Sequence, residues 1–385
     1  MCTDPKSVLG RYRQLAPSAS VRVSPLCLGT MTFGGKHPER YGECSKEEAF
    51  AMMDFFYDNG GNFFDTANAY QDGQSEVWLG EWIASRKNRD ELVIATKYTS
   101  GYMLHHKDKI QANFVGTGTK SMNHSVDESL RKLQTTYIDL FYVHWWDYTT
   151  SIPELMQSLN HLVVSGKVHY LGISDTPAWV VTKANAYARQ HGLRQFSVYQ
   201  GKWNAARRDH ERDIIPMCAD EGMGLAPYAT LNAGNFQTAE GYEAREKSNN
   251  GRKFIPVCAR DKQVAAILEK IANRKGGGVT LLNVALAYIL HKAPYVFPII
   301  GGRTVDHLKG SIPGLAVSLS NEEIEEIETG YEFDHGFPHS FLSGTLFDLS
   351  HPRGAAGPED VWLTKPCGPF DWVERPKPIK TSRSP

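Results

Sequence analysis

The chain has 385 residues, 41% hydrophobic and 22% charged, which is ordinary for a water-soluble globular fold and enough for one large α/β domain. Lys and Arg number 42 against 43 for Asp and Glu, and a net charge of -1 gives no global electrostatic reason to expect nucleic acid or an anionic membrane surface. The most apolar stretch, Leu281 to Leu290, is broken by Asn283 and falls short of the roughly 20 residues of a membrane span.

Along the chain, the opening MCTDPKSVLGRYRQLAP has charges and two prolines but no apolar core, so no secretory signal is expected. The run 25–30 (PLCLGT) reads as a first strand. A helix is predicted over 46–59, with Ala49, Met52, Met53 and Phe56 on one face. Ser45 and Glu48 form a capping-box pattern at its start, and Gly60–Gly61 closes it. Strand runs then alternate with helical patterns: 62–66 (NFFDT), helix 74–86, 92–97 (LVIATK), helix 121–134, 138–144 (IDLFYVH) and helix 152–165. The alternation continues with 168–174 (VHYLGIS), helix 177–190, 196–200 (FSVYQ), helix 209–221 and 223–228 (MGLAPY). A long connection, 229–260, and a helical stretch, 261–275, precede helix 279–292, the run 296–301 (VFPIIG) and helix 304–312.

Near-continuous apolarity over a few residues suits strands buried on both faces of a parallel sheet. Eight strand-helix alternations predict an α/β fold of the (β/α)8 TIM barrel type, against the alternative of an open doubly wound sheet. The expected organisation is one domain, 1–385, with a barrel over about 20–330. Long rim loops, notably 100–120 and 229–260, and an irregular Pro- and Gly-rich tail, 331–385, complete it. Cys2, Cys27, Cys44, Cys218, Cys258 and Cys367 are scattered with no C-x-x-C pair, which argues against zinc or a disulfide framework. They are expected to be reduced thiols in a cytoplasmic protein, and no metal is expected.

The strand ends carry the chemistry. Asp65, Lys97, His144, Ser174, Gln200 and Tyr228 each end an apolar run, and Gly301–Gly302–Arg303 follows the last. In a β/α barrel these ends form one rim, where active sites sit. Alone, each has a bland reading as a surface, capping or structural residue; the joint pattern is far more specific.

Asp65 followed by Tyr70 in DTANAY, Lys97 in IATK and His144 in FYVHWW resemble the tetrad of the aldo-keto reductase superfamily. The segments DTANAYQDGQSEVWLGEW, LRKLQTTYIDLFYVHWWDYTTS, YLGISDTPAW and HGFPHSFLSG are similar to its fungal branch of aryl-alcohol dehydrogenases and norsolorinic acid reductases. The resemblance covers about residues 20–330. Carbonyl reduction needs a hydride, which no side chain supplies and reduced nicotinamide does, and a proton at oxygen. Tyr70 is the expected proton donor. Lys97, ion-paired to Asp65, is expected to lower the phenol's pKa from its usual value of about 10. His144 is expected to orient the carbonyl and donate to its developing charge. A Schiff-base role for Lys97, as in barrel aldolases, is the rival reading, and Tyr70 argues against it.

No G-x-G-x-x-G follows any strand, so the cofactor site must come from the rim. The resemblance places Ser174, Asp175 and Gln200 at the nicotinamide amide and Tyr228 on its ring. Gly301 and Gly302 let backbone approach a phosphate, and Arg303 can pair with a 2′-phosphate, which favours NADPH/NADP over NADH. His307 and Ser311 on the next helix stand toward the adenine. Departures from the usual pattern are Asp175 for Asn, His307 for Gln, Ser311 for Asn, and Tyr228–Ala229–Thr230–Leu231 for Tyr-Ser-Pro-Leu. Trp145, Trp146 and Tyr148 after His144, Trp203 after Gln200 and Tyr102 after Lys97 point to a flat apolar substrate. An aryl aldehyde or ketone, norsolorinic acid among them, is expected, with Phe333, Phe337 and Phe341 of the tail adding to the pocket. The alternatives are an aryl-alcohol dehydrogenase running in the oxidative direction, or a redox-sensing NADP(H)-binding subunit with little turnover. An oligomer is left open, with no sequence feature supporting one.

Overall fold

The computed structural model of the chain describes residues 5–247, 256–352 and 354–380. Cys2 and parts of the long connection and the tail lie outside these ranges. After a 3-10 turn, Val8–Gly10, comes a hairpin, β1 (Arg13–Ala16) antiparallel to β2 (Ala19–Val23). Eight parallel strands follow: β3 (Cys27–Gly29), β4 (Phe63–Asp65), β5 (Val93–Tyr98), β6 (Ile138–Val143), β7 (Val168–Ser174), β8 (Phe196–Gln200), β9 (Gly224–Leu225) and β10 (Ile299–Ile300). They lie in chain order, with β10 returning beside β3. The ring closes through a parallel bridge from Leu225 to Val296, where Leu225 N–H donates to Tyr295 O (2.9 Å) and Phe297 N–H to Leu225 O (2.8 Å). This is the β/α barrel that the alternation predicts.

Helices Lys46–Asp58, Gln74–Arg86, Thr119–Leu133, Ile152–Val164 and Ala178–Gln190 run between successive strands, all within two residues of the expected bounds. Ser45 caps the first as expected, accepting from Glu48 N–H (3.1 Å). The Glu48 carboxylate does not complete the box; it accepts instead from Val305 N–H (3.1 Å), tying helix Lys46–Asp58 to helix Val305–Ser311.

Three expected elements differ. The seventh and eighth strands shrink to two residues each, because Pro227 and Pro298 have no N–H to extend the ladder. The helix expected over 209–221 splits into a 3-10 turn, Asp209–Glu211, and a helix, Ile214–Asp220; Pro216 is tolerated only in a helix's first turn. The long connection and the tail contain short helices, Ala239–Lys247 and His339–Ser343, and helix Asn321–Glu328 precedes the tail.

The barrel floor is filled by Cys27, Phe63, Ala95, Leu140, Val198 and Phe297, and the hairpin's Leu15, Ala16, Ala19 and Val23 pack into that same cluster. The tail begins by docking on the wall. Arg212 donates from Nε and Nη2 to Asp334 O (2.9 and 2.8 Å), and the Arg208 and Arg212 guanidiniums lie 4.8 and 4.5 Å from the Phe333 ring. Phe333 is therefore engaged in anchoring the tail, and Phe337 is exposed.

Candidate active site

β4 and β5 are in register with Asp65 opposite Ala95, so Asp65 and Lys97 both reach the rim. Lys97 is 0% exposed. Its ammonium donates to Asp65 Oδ1 (2.5 Å), to Thr66 O (2.8 Å) and to Tyr70 Oη (3.4 Å). The second Asp65 oxygen accepts from Gln200 Nε2 (2.9 Å), so β8 also holds the pair. A charge buried this deeply is tolerable only when paired and fully hydrogen-bonded.

Tyr70 opens a tight turn, Tyr70–Gly73, in which Gln71 and Asp72 take φ of +51° and +54°. Its ring meets that of His144 edge to face, 5.9 Å between centroids. His144 follows β6 directly, and its N–H is shared by Tyr98 O and Thr99 Oγ1, each at 3.3 Å. The structure thus brings the four expected residues together around one phenol.

The electrostatics differ from expectation at one point. Burial works against the charge on Lys97, but Asp65 and the Tyr70 oxygen outweigh it and hold the ammonium's pKa above its usual value. Tyr70 was expected to be lowered. Burial instead raises it, assisted by Asp65, and the opposing pull of Lys97 only moderates the rise. His144 is pushed down to about 3, by burial first and by the Lys97 ammonium second, so it is neutral at physiological pH.

Among the expected cofactor contacts, Ser174 is buried at the end of β7, and its hydroxyl has no hydrogen-bond partner among the described residues. Asp175 turns at φ +41° and accepts from Tyr228 Oη (3.2 and 3.3 Å), so the carboxylate aims the tyrosine. At the last strand, Thr32 Oγ1 donates to Gly302 O (2.6 Å). Arg303 packs on Gly42, where an added Cβ would lie 2.5 Å from a guanidinium nitrogen. His307 Nδ1 accepts from Arg303 N–H (3.2 Å), and Ser311 Oγ donates to His307 O (3.0 Å). An unpartnered buried hydroxyl, a paired tyrosine and a glycine-flanked arginine on one rim fit a dinucleotide phosphate and amide.

The aromatic residues divide. Trp145 is half-buried beside His144, and its indole donates to Ser100 Oγ (3.1 Å). Trp146 packs on the core with Tyr148 edge-on at 6.3 Å, and Tyr148 is 68% exposed. Trp203 and Tyr102 are not brought to an open mouth. Trp203 is wholly buried, donating to Glu211 Oε1 (3.3 Å), and Tyr102 is buried beneath the Lys132 ammonium, 5.0 Å from its ring.

Sequence reasoning passed over the groups that hold the Tyr70 turn. Asn68 donates to Ser100 O (3.3 Å) and Ser125 Oγ (3.2 Å), and Gln71 Oε1 accepts from the backbone of Lys36 (3.1 Å) and His37 (3.2 Å). Their signal was a run of polar residues flanking Tyr70 in a segment that is otherwise buried.

The model for the aldo/keto reductase family matches residues 25–332. Norsolorinic acid reductase B of Dothistroma septosporum is 66% identical over 96% of this chain and 94% of its own length. Norsolorinic acid reductase B of Aspergillus parasiticus is 64% identical over 97% of this chain and 98% of its own. An NADP(+) aryl-alcohol dehydrogenase of Phanerodontia chrysosporium is 46% identical over 93% and 95%. With the barrel closed and the tetrad assembled, these matches establish that the chain is an oxidoreductase of the aldo/keto reductase family.

Proposed function

We propose that the chain reduces an aromatic aldehyde or ketone to the alcohol with NADPH, Tyr70 giving the proton. The observation that carries this reading is a wholly buried ammonium, Lys97, held by Asp65 and 3.4 Å from the Tyr70 hydroxyl. A nicotinamide dinucleotide, when bound, supplies the hydride. Ser174, Asp175 with Tyr228, Gln200 and the segment Gly301–Arg303 would hold it, with His307 and Ser311 toward the adenine. Arg303 is the proposed partner of a 2′-phosphate.

The chain's own residues then handle the oxygen. The raised phenol of Tyr70 stays protonated at neutral pH and is a loaded donor to the carbonyl oxygen. Once the proton has left, Lys97 is in place to stabilise the phenolate. Neutral His144 donates a second hydrogen bond to the same oxygen. Oxidation of an alcohol would need Tyr70 as phenolate, so its raised pKa moves the oxidative reaction to higher pH, while the NADPH/NADP ratio sets the net direction. Trp145, with Trp146 and Tyr148 after it, supplies flat apolar surface next to His144. The names of the norsolorinic acid reductases and of the NADP(+) aryl-alcohol dehydrogenase support the same substrate class and cofactor.

Barrel and tail are proposed to work as one domain, in a cytoplasm that keeps Cys27, Cys44, Cys218, Cys258 and Cys367 as free thiols. The proposed partner is a small aromatic carbonyl. The test is steady-state NADPH oxidation with benzaldehydes against aliphatic aldehydes of equal size. Faster turnover of the benzaldehydes is expected, and equal rates would remove the aromatic preference. Tight NADPH binding with negligible turnover would favour a redox sensor over a reductase. Tyr70→Phe is expected to keep NADPH affinity and lose most reduction.

A further inference from the structure

We propose that Ser100, gripped by Trp145, is a positioning residue that fixes which nitrogen of His144 carries the proton, leaving Nε2–H as the donor on the face away from Ser100. The proposal rests on the reading of His144 as a hydrogen-bond donor to the carbonyl oxygen.

The argument is one of donors and acceptors. An indole N–H can only donate, and Trp145 Nε1 donates to Ser100 Oγ at 3.1 Å. That bond occupies one of the two lone pairs of the serine oxygen and turns its single proton away from the indole, toward its other side-chain contact. Among the described residues, the group in reach is His144 Nδ1 at 3.4 Å. With Nδ1 accepting, the neutral ring must bear its proton on Nε2. The opposite tautomer would turn a lone pair toward the substrate oxygen and repel it. Because the half-buried His144 ring is desolvated and feels the Lys97 ammonium, it stays neutral, and a neutral imidazole has only one N–H to aim.

Both partners are anchored. The Ser100 carbonyl accepts from Asn68 Nδ2 (3.3 Å), and the Asn68 N–H donates to Lys97 O (3.1 Å). The residue before Ser100 is Thr99 at φ +93°, a backbone setting that a β-branched side chain rarely adopts. That turn puts the Thr99 hydroxyl under the His144 N–H (3.3 Å) while Ser100 meets the ring. A strained residue persists where its surroundings over-determine it, as two independent grips on His144 do here.

The experiment is nitrogen-15 NMR of imidazole-labelled full-length protein at neutral pH, with the His144 signals identified by their loss in His144→Gln. The expected wild-type spectrum has Nε2 protonated and Nδ1 bare and hydrogen-bonded. Ser100→Ala should remove the hydrogen-bond shift at Nδ1, admit the other tautomer and lower kcat about tenfold with a smaller change in KM. Ser100→Thr, which keeps the hydroxyl, should restore both the spectrum and the rate. A wild-type ring protonated at Nδ1, or a Nδ1 signal unchanged in Ser100→Ala, would overturn the proposal. The spectra need no turnover, so they stand even if Tyr70→Phe were to retain activity and remove the proposed reaction.

Discussion

Replacing Lys97 by Met separates what the buried ammonium does for folding from what it does for chemistry. The substitution keeps most of the side-chain volume and deletes the charge. Asp65 is then left almost fully buried with Gln200 as its remaining side-chain partner, at 2.9 Å. Breaking a buried pair by removing one member costs about 3–5 kcal/mol. For a chain of this length that is a fall in Tm of about 4–6 °C, readable by calorimetry or circular dichroism. Tyr70 loses the cation 3.4 Å from its oxygen, and reduction should drop by roughly 10²–10⁴, the range for a general acid. The double variant Lys97→Met/Asp65→Asn removes the orphaned charge as well. Most of the lost Tm should return while turnover stays low, because the phenolate still has no counter-ion. Recovery of activity along with stability would show that Lys97 only holds the fold, and the acid mechanism would fail.

Arg303→Ala should raise KM for NADPH far more than for NADH in parallel assays, and equal effects would refute a 2′-phosphate contact. The pH dependence of reduction follows from two groups. Tyr70 acts as an acid with a raised pKa, so turnover is fully present at neutral pH and lost only as pH rises through that value. His144, pushed to about 3, adds no step, so kcat/KM should be flat from roughly pH 7 to 9; an inflection near pH 7 that vanishes in His144→Gln would contradict this. Stability should fall on the acid side. Buried His210, His291 and His335 are each lowered to about 4, against about 6.5 unfolded. The unfolded chain therefore binds more protons between these values, and stability drops as pH falls from 6.5 to 4. A Tm unchanged between pH 7 and 5 would count against these assignments.

The barrel was legible because a strand buried on both faces writes itself as an unbroken apolar run, and a packed helix as a 3.6-residue stripe. Asp65, Lys97 and His144 were legible because barrel topology turns strand ends into neighbours; Tyr70 ends no strand, and only the resemblance of DTANAY to the family's tetrad pointed to it. Balances among opposing effects were hidden. Nothing in DTANAY tells that burial outweighs Lys97 at the Tyr70 oxygen, since that depends on how much protein surrounds the phenol. Nor could side-chain direction be read: Trp203 follows Gln200 by three positions, yet faces inward to Glu211. Helix Asn321–Glu328 did carry a readable signal in Ser320 and Glu323, which form a complete capping box. The hairpin did not, because its short strands pack on the barrel floor, a surface that exists only after the ring has closed.

That hairpin places part of the core ahead of the family match, as the buried Leu9 does further upstream. The family match starts at residue 25, but Leu15, Ala16, Ala19 and Val23 lie upstream of it and seal the apolar underside. A shortened protein begun at the match boundary would keep every reacting group and still let water in from beneath. Its loss of function would be a defect of assembly, arising at the end of the molecule opposite the chemistry.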